Sequence, residues 1–248
     1  MRFLKIPNLP ESDVVLAAVS HTYPGILSGL TGLGVKVIPV QPAKFLEPPV
    51  QSHADLLCQP LGANRIIAAK GEESLKLALE NYGFRIAESA FMIESPYPKD
   101  CALNAARIGK FLIANKKIID PNLLYYSNKE NIKFVDVRQG YAKCSVAIAD
   151  EKSIITADCG IQAAALKAGF SVLKIQPGFI KLAGFPYGFL GGACGLIGKR
   201  KIAFAGNPVY HPDYQKIKEF LDCRKIEIIS LYDGPLLDVG GIIPLMER

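Results

Sequence analysis

Three places along the chain set a nucleophile or a proton carrier beside a charge. At Lys143-Cys144 a cation precedes a thiol, and a nearby positive charge favours the thiolate, the form that attacks carbon. At His53-Ala54-Asp55 an imidazole and a carboxylate stand two residues apart; on a strand they share a face, and the acid can orient the ring. Lys99-Asp100-Cys101 and Asp238 add carboxylates suited to the cationic end of a small molecule. Each pattern has a structural use as well. Cys144 fits a small core-facing side chain, His53 with Asp55 a rim pair after Pro48-Pro49, and Asp100 a turn cap after Pro98. Cys101, Cys144 and Cys194 with His53 carry donor types that zinc takes, yet they contain no short ligand pair, so neither metal nor cofactor is expected. The run Gly188-Phe189-Leu190-Gly191-Gly192 lacks the Lys-Ser/Thr of a phosphate loop and reads as a stretch of close backbone approach. His211-Pro212-Asp213 reads as a helix start with no catalytic role.

Residues this scattered form one site only if repetition gathers them. Five segments share a tail in which a helical stretch ends near Gly or Asn and opens into an alternating strand: Gly34–Val40, Gly83–Ala87, Asn131–Val137, Gly169–Ile175 and Arg224–Leu231. Upstream of four tails, two apolar runs flank a tight polar turn: Leu56–Pro60 with Arg65–Ala69, Cys101–Ala106 with Lys110–Ala114, Ser145–Ala149 with Ser153–Ala157, and Gly192–Ile197 with Lys201–Ala205. Helices are expected over Tyr23–Leu33, Glu72–Tyr82, Pro121–Glu130, Ile161–Ala168 and Pro212–Cys223. The repeating unit is therefore strand, strand, helix, strand. The fifth unit is split, with Leu236–Leu245 as its first strand and Asp13–Ser20 as its partner. Hairpin heads at Asp55, Cys101, Cys144, Cys194 and Gly240 are 46, 43, 50 and 46 residues apart, which predicts one domain over 1–248.

Composition narrows the class. Half of the 248 residues are hydrophobic, enough for a packed core, and the uncharged run Leu182–Ile197 is too short and too broken by Gly and Pro for a membrane span. The net charge of +6 is dispersed and tryptophan is absent, so nucleic acid is not an expected partner; a small molecule is. The N-terminus shows no apolar signal region, and six cysteines without a C-x-x-C pair read as free thiols, so a cytoplasmic location is expected. Oligomeric state is not legible.

Five strand-strand-helix-strand units closed by pairing of the termini resemble the pentein fold. This is the five-bladed α/β-propeller of guanidino-group-modifying enzymes, among them arginine and agmatine deiminases, dimethylarginine hydrolases and amidinotransferases. Asp238-Val239-Gly240-Gly241-Ile242-Ile243-Pro244 is similar to the Gly-Gly-containing last head strand of those enzymes. The resemblance implies that the heads converge on an axis, and that a cysteine should follow the glycine pair. This chain has Ile242, Ile243, Pro244 and Leu245 there, and its His-x-Asp pair lies about two heads earlier than in the enzymes, where it carries Lys143-Cys144-Ser145. Ordinary deiminase chemistry is therefore not expected.

Two readings stay open. In the first, a small polar or cationic molecule, guanidino or amino-acid-like, binds at the axis. Cys144, a displaced nucleophile, then acts with His53 and Asp55 in a C–N hydrolase or amidinotransferase-like reaction, while Asp100, Asn104, Lys143 and Asp238 hold the ligand. In the second, the protein is a non-catalytic interaction module, comparable to the ribosome anti-association factor of the same fold. Cys144 is expected to be the most reactive thiol, provided that Lys99 folds over the mouth.

Overall fold

The computed structural model describes residues 1–248. Apolar runs on either side of a short turn pair antiparallel in four successive units: Cys58–Gly62 with Arg65–Ala68, Ala106–Ile108 with Phe111–Ala114, Val146–Asp150 with Ser153–Thr156, and Cys194–Gly198 with Lys201–Phe204. A helix then crosses over, and the chain returns parallel to the hairpin's second strand at Arg85–Glu88, Lys133–Asp136, Ser171–Lys174 and Glu227–Ser230. The crossover helices are Glu73–Glu80, Pro121–Lys129, Cys159–Lys167 and Tyr214–Asp222. The Glu72, Asp120 and Asp158 carboxylates accept from backbone N–H groups of the first turn and so start three of them. Gly83, Asn131, Gly169 and Lys225 end them with positive φ, the left-handed residue that turns the chain out of a helix.

The fifth sheet joins the two ends of the chain. Val14–Ser20 runs parallel to Lys36–Val40 after the helix Pro24–Gly32, and antiparallel to Ile243–Glu247, with Ala18 opposite Ile243. Arg2–Phe3 adds an outer strand beside Ile243–Glu247. The buried Glu247 carboxylate fastens this corner by accepting from the N–H groups of Glu11 and Ser12 and from the Arg2 guanidinium. All five sheets thus repeat one connectivity. Each helix lays an apolar stripe on its own sheet, as Ile217 and Leu221 do in Tyr214–Asp222. No helix is long and apolar enough to cross a membrane.

The segments ahead of the hairpins differ from the strand expectation. Ala54–Leu57 is a helical turn, and Lys99–Cys101 and Gly191–Ala193 are 3-10 turns, so strand pairing starts only at Cys58, Ala106 and Cys194. In two of the three, backbone groups bond sideways to a neighbouring unit: Asp55 N–H donates to the Gly240 carbonyl, and Gly192 bonds to Cys144, Val239 and Gly241. At Gly191 two units press closely together. A Cβ there would stand 2.3 Å from the Val146 carbonyl oxygen and 2.4 Å from that of Lys143. Gly191→Ala is therefore expected to destabilise the fold by about 2–3 kcal/mol in urea unfolding. A loss within the ordinary surface range would mean that the units are not pressed together here.

Candidate functional site

The five head segments are hydrogen-bonded into a circuit that returns to its start. The Asn104 side-chain amide donates to the Asp55 carbonyl, and its oxygen accepts from the N–H groups of Lys143 and Cys144. Gly192 N–H donates to the Cys144 carbonyl, the N–H groups of Val239 and Gly241 donate to the Gly192 carbonyl, and Asp55 N–H donates to the Gly240 carbonyl. Residues 39 or more positions apart are thereby held side by side. Small residues permit this. A Cβ on Gly192 would meet the Asp238 carboxylate at 2.0 Å, and Gly240, at φ 72°, lies against His53, where a Cβ would stand 2.4 Å from the backbone.

At the centre the Cys144 S–H donates to Asp55 Oδ2 at 2.9 Å, and Asn104 Nδ2 donates to Sγ at 3.2 Å. His53 Nδ1 stands 3.9 Å from Asp238 Oδ1, within ion-pair but not hydrogen-bond range, and its Nε2 is buried without a partner. Asp238 is fixed by the N–H groups of Phe189 and Gly240, at 2.8 and 3.1 Å. His53, Cys144 and Asp238 all line a cavity of about 250 Å³, just below the usual range of ligand pockets. Its remaining walls are apolar, with Tyr141, Phe185, Tyr187 and Phe189 as the rings.

Burial pushes the Asp55 carboxyl up to about 6, against the opposing pull of the Lys143 and His53 charges. Burial also raises the Cys144 thiol well above its usual value; the Asp55 and Asp238 charges add to this, and Lys143 only opposes it. Burial pushes Cys58 and Cys194 up to about 12. Cys144 differs from these two in having a carboxylate within proton-transfer reach and a place on the cavity wall.

The structure brings together most of the residues singled out from the sequence, though not always in the expected roles. Asp55 faces Cys144 rather than orienting His53, because the helical turn Ala54–Leu57 replaces the strand on which the two would share a face. Of the four ligand-binding candidates, Asp238 lines the cavity. Asn104 and Lys143 lie behind it, Asn104 bracketing Cys144 and Lys143 Nζ donating to the Gly191 carbonyl. Asp100 accepts from the Tyr141 hydroxyl at 2.5 Å and so braces a cavity wall. Lys99 does not fold over the mouth; it is 65% exposed and paired with Glu94. Cys144 is 3% exposed and lacks that cation, whereas Cys159 and Cys223 stand in solvent, so neutral reagents are expected to reach those two first. The donor atoms that could hold a metal are those of His53, Cys144 and Asp238, all within 4.8 Å of one another; Cys101 and Cys194 are not among them. Asn104 entered the sequence reading as a ligand contact, and no local motif marks it as a bracket. The aromatic wall carried a faint signal, four rings or prolines in the five residues Phe185–Phe189.

Residues 18–243 match the model of a family described as "Family of unknown function (DUF6873)". No curated protein matches the chain. Among solved structures it is similar to SxtG, an amidinotransferase from Microseira wollei in the saxitoxin biosynthetic pathway, with 12% identity, TM-score 0.56, and 95% of this chain and 97% of that one covered. It is also similar to dimethylarginine dimethylaminohydrolase from Pseudomonas aeruginosa complexed with citrulline, with 9% identity, TM-score 0.56, and coverage of 88% and 92%. A third similar structure is agmatine deiminase of C. jejuni, with 10% identity, TM-score 0.55, and coverage of 91% and 90%. These likenesses establish a pentein fold shared with guanidino-modifying enzymes.

Proposed function

We propose that this chain, which belongs to the family of unknown function DUF6873, binds a small guanidinium- or amidinium-bearing molecule in the cavity and cleaves or transfers at its C–N bond through Cys144. The observation that carries this reading is the Cys144–Asp55 hydrogen bond beside a cavity that also presents His53 and Asp238. Asp238 pairs with the entering cation. That positive charge offsets the two carboxylates that hold the thiol protonated, and Asp55 takes the proton. The sulfur then forms a bond to the guanidinium carbon, one C–N bond breaks, and the departing amine takes a proton from His53. Water or a second amine attacks the resulting S-linked amidine, gives up a proton to His53 and so restores it, and releases the thiolate, which recovers its proton from Asp55. The first acceptor makes the protein a hydrolase and the second a transferase. A buried centre holding both acids and a thiol favours this over the interaction-module reading.

The same reading takes the five sheets as blades of one closed propeller domain over residues 1–248, supported by the hydrogen-bond circuit and by the pairing of Ile243–Glu247 with Val14–Ser20. Six free cysteines suit a reducing compartment such as the cytoplasm. Asp238→Asn is the direct test of the cation contact. Calorimetric titration with alkylguanidines is expected to show affinity at least about tenfold lower for the variant, while neutral alkylureas bind both proteins equally weakly. Equal guanidine affinity for the two folded proteins would take Asp238 out of the site.

A further inference from the structure

Of the eleven side chains around the cavity, the ionisable ones are His53, Tyr141, Cys144, Tyr187 and Asp238; none is Lys or Arg. A guanidino amino acid brings a carboxylate that would have to be desolvated here without a cation to receive it. The buried lysine nearest the site, Lys143, is directed to the Gly191 carbonyl and does not line the cavity.

The other walls describe what takes the carboxylate's place. Tyr141 and Phe189 stand 6.2 Å apart with planes tilted by 35°, and Tyr187 meets Phe189 edge to face at 6.2 Å. Tyr141 is braced by its hydroxyl on Asp100. Phe185 and Tyr187 are 40% and 42% exposed, large apolar area left in water around the mouth of a cavity. Anchor and wall are one unit, because Phe189 N–H holds the Asp238 carboxylate and Gly188 lies so close to Asp238 that a Cβ would stand 2.4 Å from the aspartate's own. A cation seated on Asp238 therefore has its body against the rings of Phe189 and Tyr187.

We infer that the ligand of this site is an aromatic or similarly flat apolar cation, a guanidine or amidine on an aryl or arylalkyl body with no carboxylate. The inference rests on the cation-binding reading above and adds the nature of the body. Stacking and cation–π contact supply the affinity that a carboxylate clamp would supply to an amino acid.

The test is calorimetric titration with 2-phenylethylguanidine, arginine and 2-phenylethylurea, on the intact protein and on Tyr187→Ala, whose side chain is exposed enough to be removed without unfolding. Phenylethylguanidine is expected to bind at least about tenfold tighter than arginine, and Tyr187→Ala is expected to erase most of that difference. Arginine binding as tightly as phenylethylguanidine would overturn the aromatic body while leaving the cation contact standing. Phenylethylurea binding as tightly as phenylethylguanidine would overturn the cation contact, and with it the reading on which this inference rests. No detectable binding of phenylethylguanidine at millimolar concentration would overturn the inference outright.

Discussion

Asp55→Asn is expected to make the protein more stable at pH 7, by about 3 kcal/mol, and to remove its activity. Burial lifts the folded-state carboxyl from 3.8 to about 6, so between those values the folded chain holds a proton that the unfolded chain has lost. Stability contributed by the protonated acid is complete below about pH 4 and falls away as the pH rises to about 6. Above that the charged form costs its full penalty, roughly two pKa units at 1.36 kcal/mol each. The pull of Lys143 and His53 is already contained in that net value. Asparagine keeps the shape and can donate to Sγ, but carries no charge to desolvate. A chain of this length gains about 2–4 °C per kcal/mol, so the midpoint should rise by roughly 6–12 °C at pH 7 and change little at pH 4. A variant less stable than the parent at pH 7 would show that the Asp55 charge is held favourably, and the proton-acceptor role would lose its physical basis.

Cys144→Ser should lower turnover of a cleaved guanidine by about a thousandfold or more while leaving its binding nearly unchanged. The hydroxyl fills the same space and can donate to Asp55 and accept from Asn104, so fold and affinity have little reason to move. A serine is far less acidic than a thiol, and a cation in the cavity cannot bring it into the range that a carboxyl of about 6 can deprotonate. The readout separates the steps: kcat collapses while the calorimetric affinity holds. Turnover within tenfold of the parent would exclude Cys144 as the nucleophile.

The repeat was legible because it is written in local chemistry. Gly34, Gly83 and Gly169 mark helix ends through their positive φ, and the apolar runs around Asn64 and Lys152 mark hairpins through period and turn. The heads were legible in composition but not in conformation. The Asp55 N–H serves the Gly240 carbonyl of another unit, so propensity along the chain does not decide whether His53-Ala54-Asp55 is a strand or a helical turn. The Asp55–Cys144 bond joins residues 89 positions apart, and the aromatic wall depends on how Leu182–Phe189 folds over Asp238. Neither can be read from spacing, because both are set by which units meet at the centre.

The account rests on Cys144 being a thiol that stays silent until a cation enters beside it. Native protein at pH 7 can be treated separately with iodoacetamide and with 2-chloroacetamidine, an electrophile carrying an amidinium, and the modified cysteines mapped by mass spectrometry. The account predicts that iodoacetamide labels exposed Cys159 and Cys223 and spares Cys144, whereas the amidinium reagent modifies Cys144 and fails to do so in Asp238→Asn. Modification by both reagents confined to Cys159 and Cys223, with Cys144 reacting only after unfolding, would contradict it.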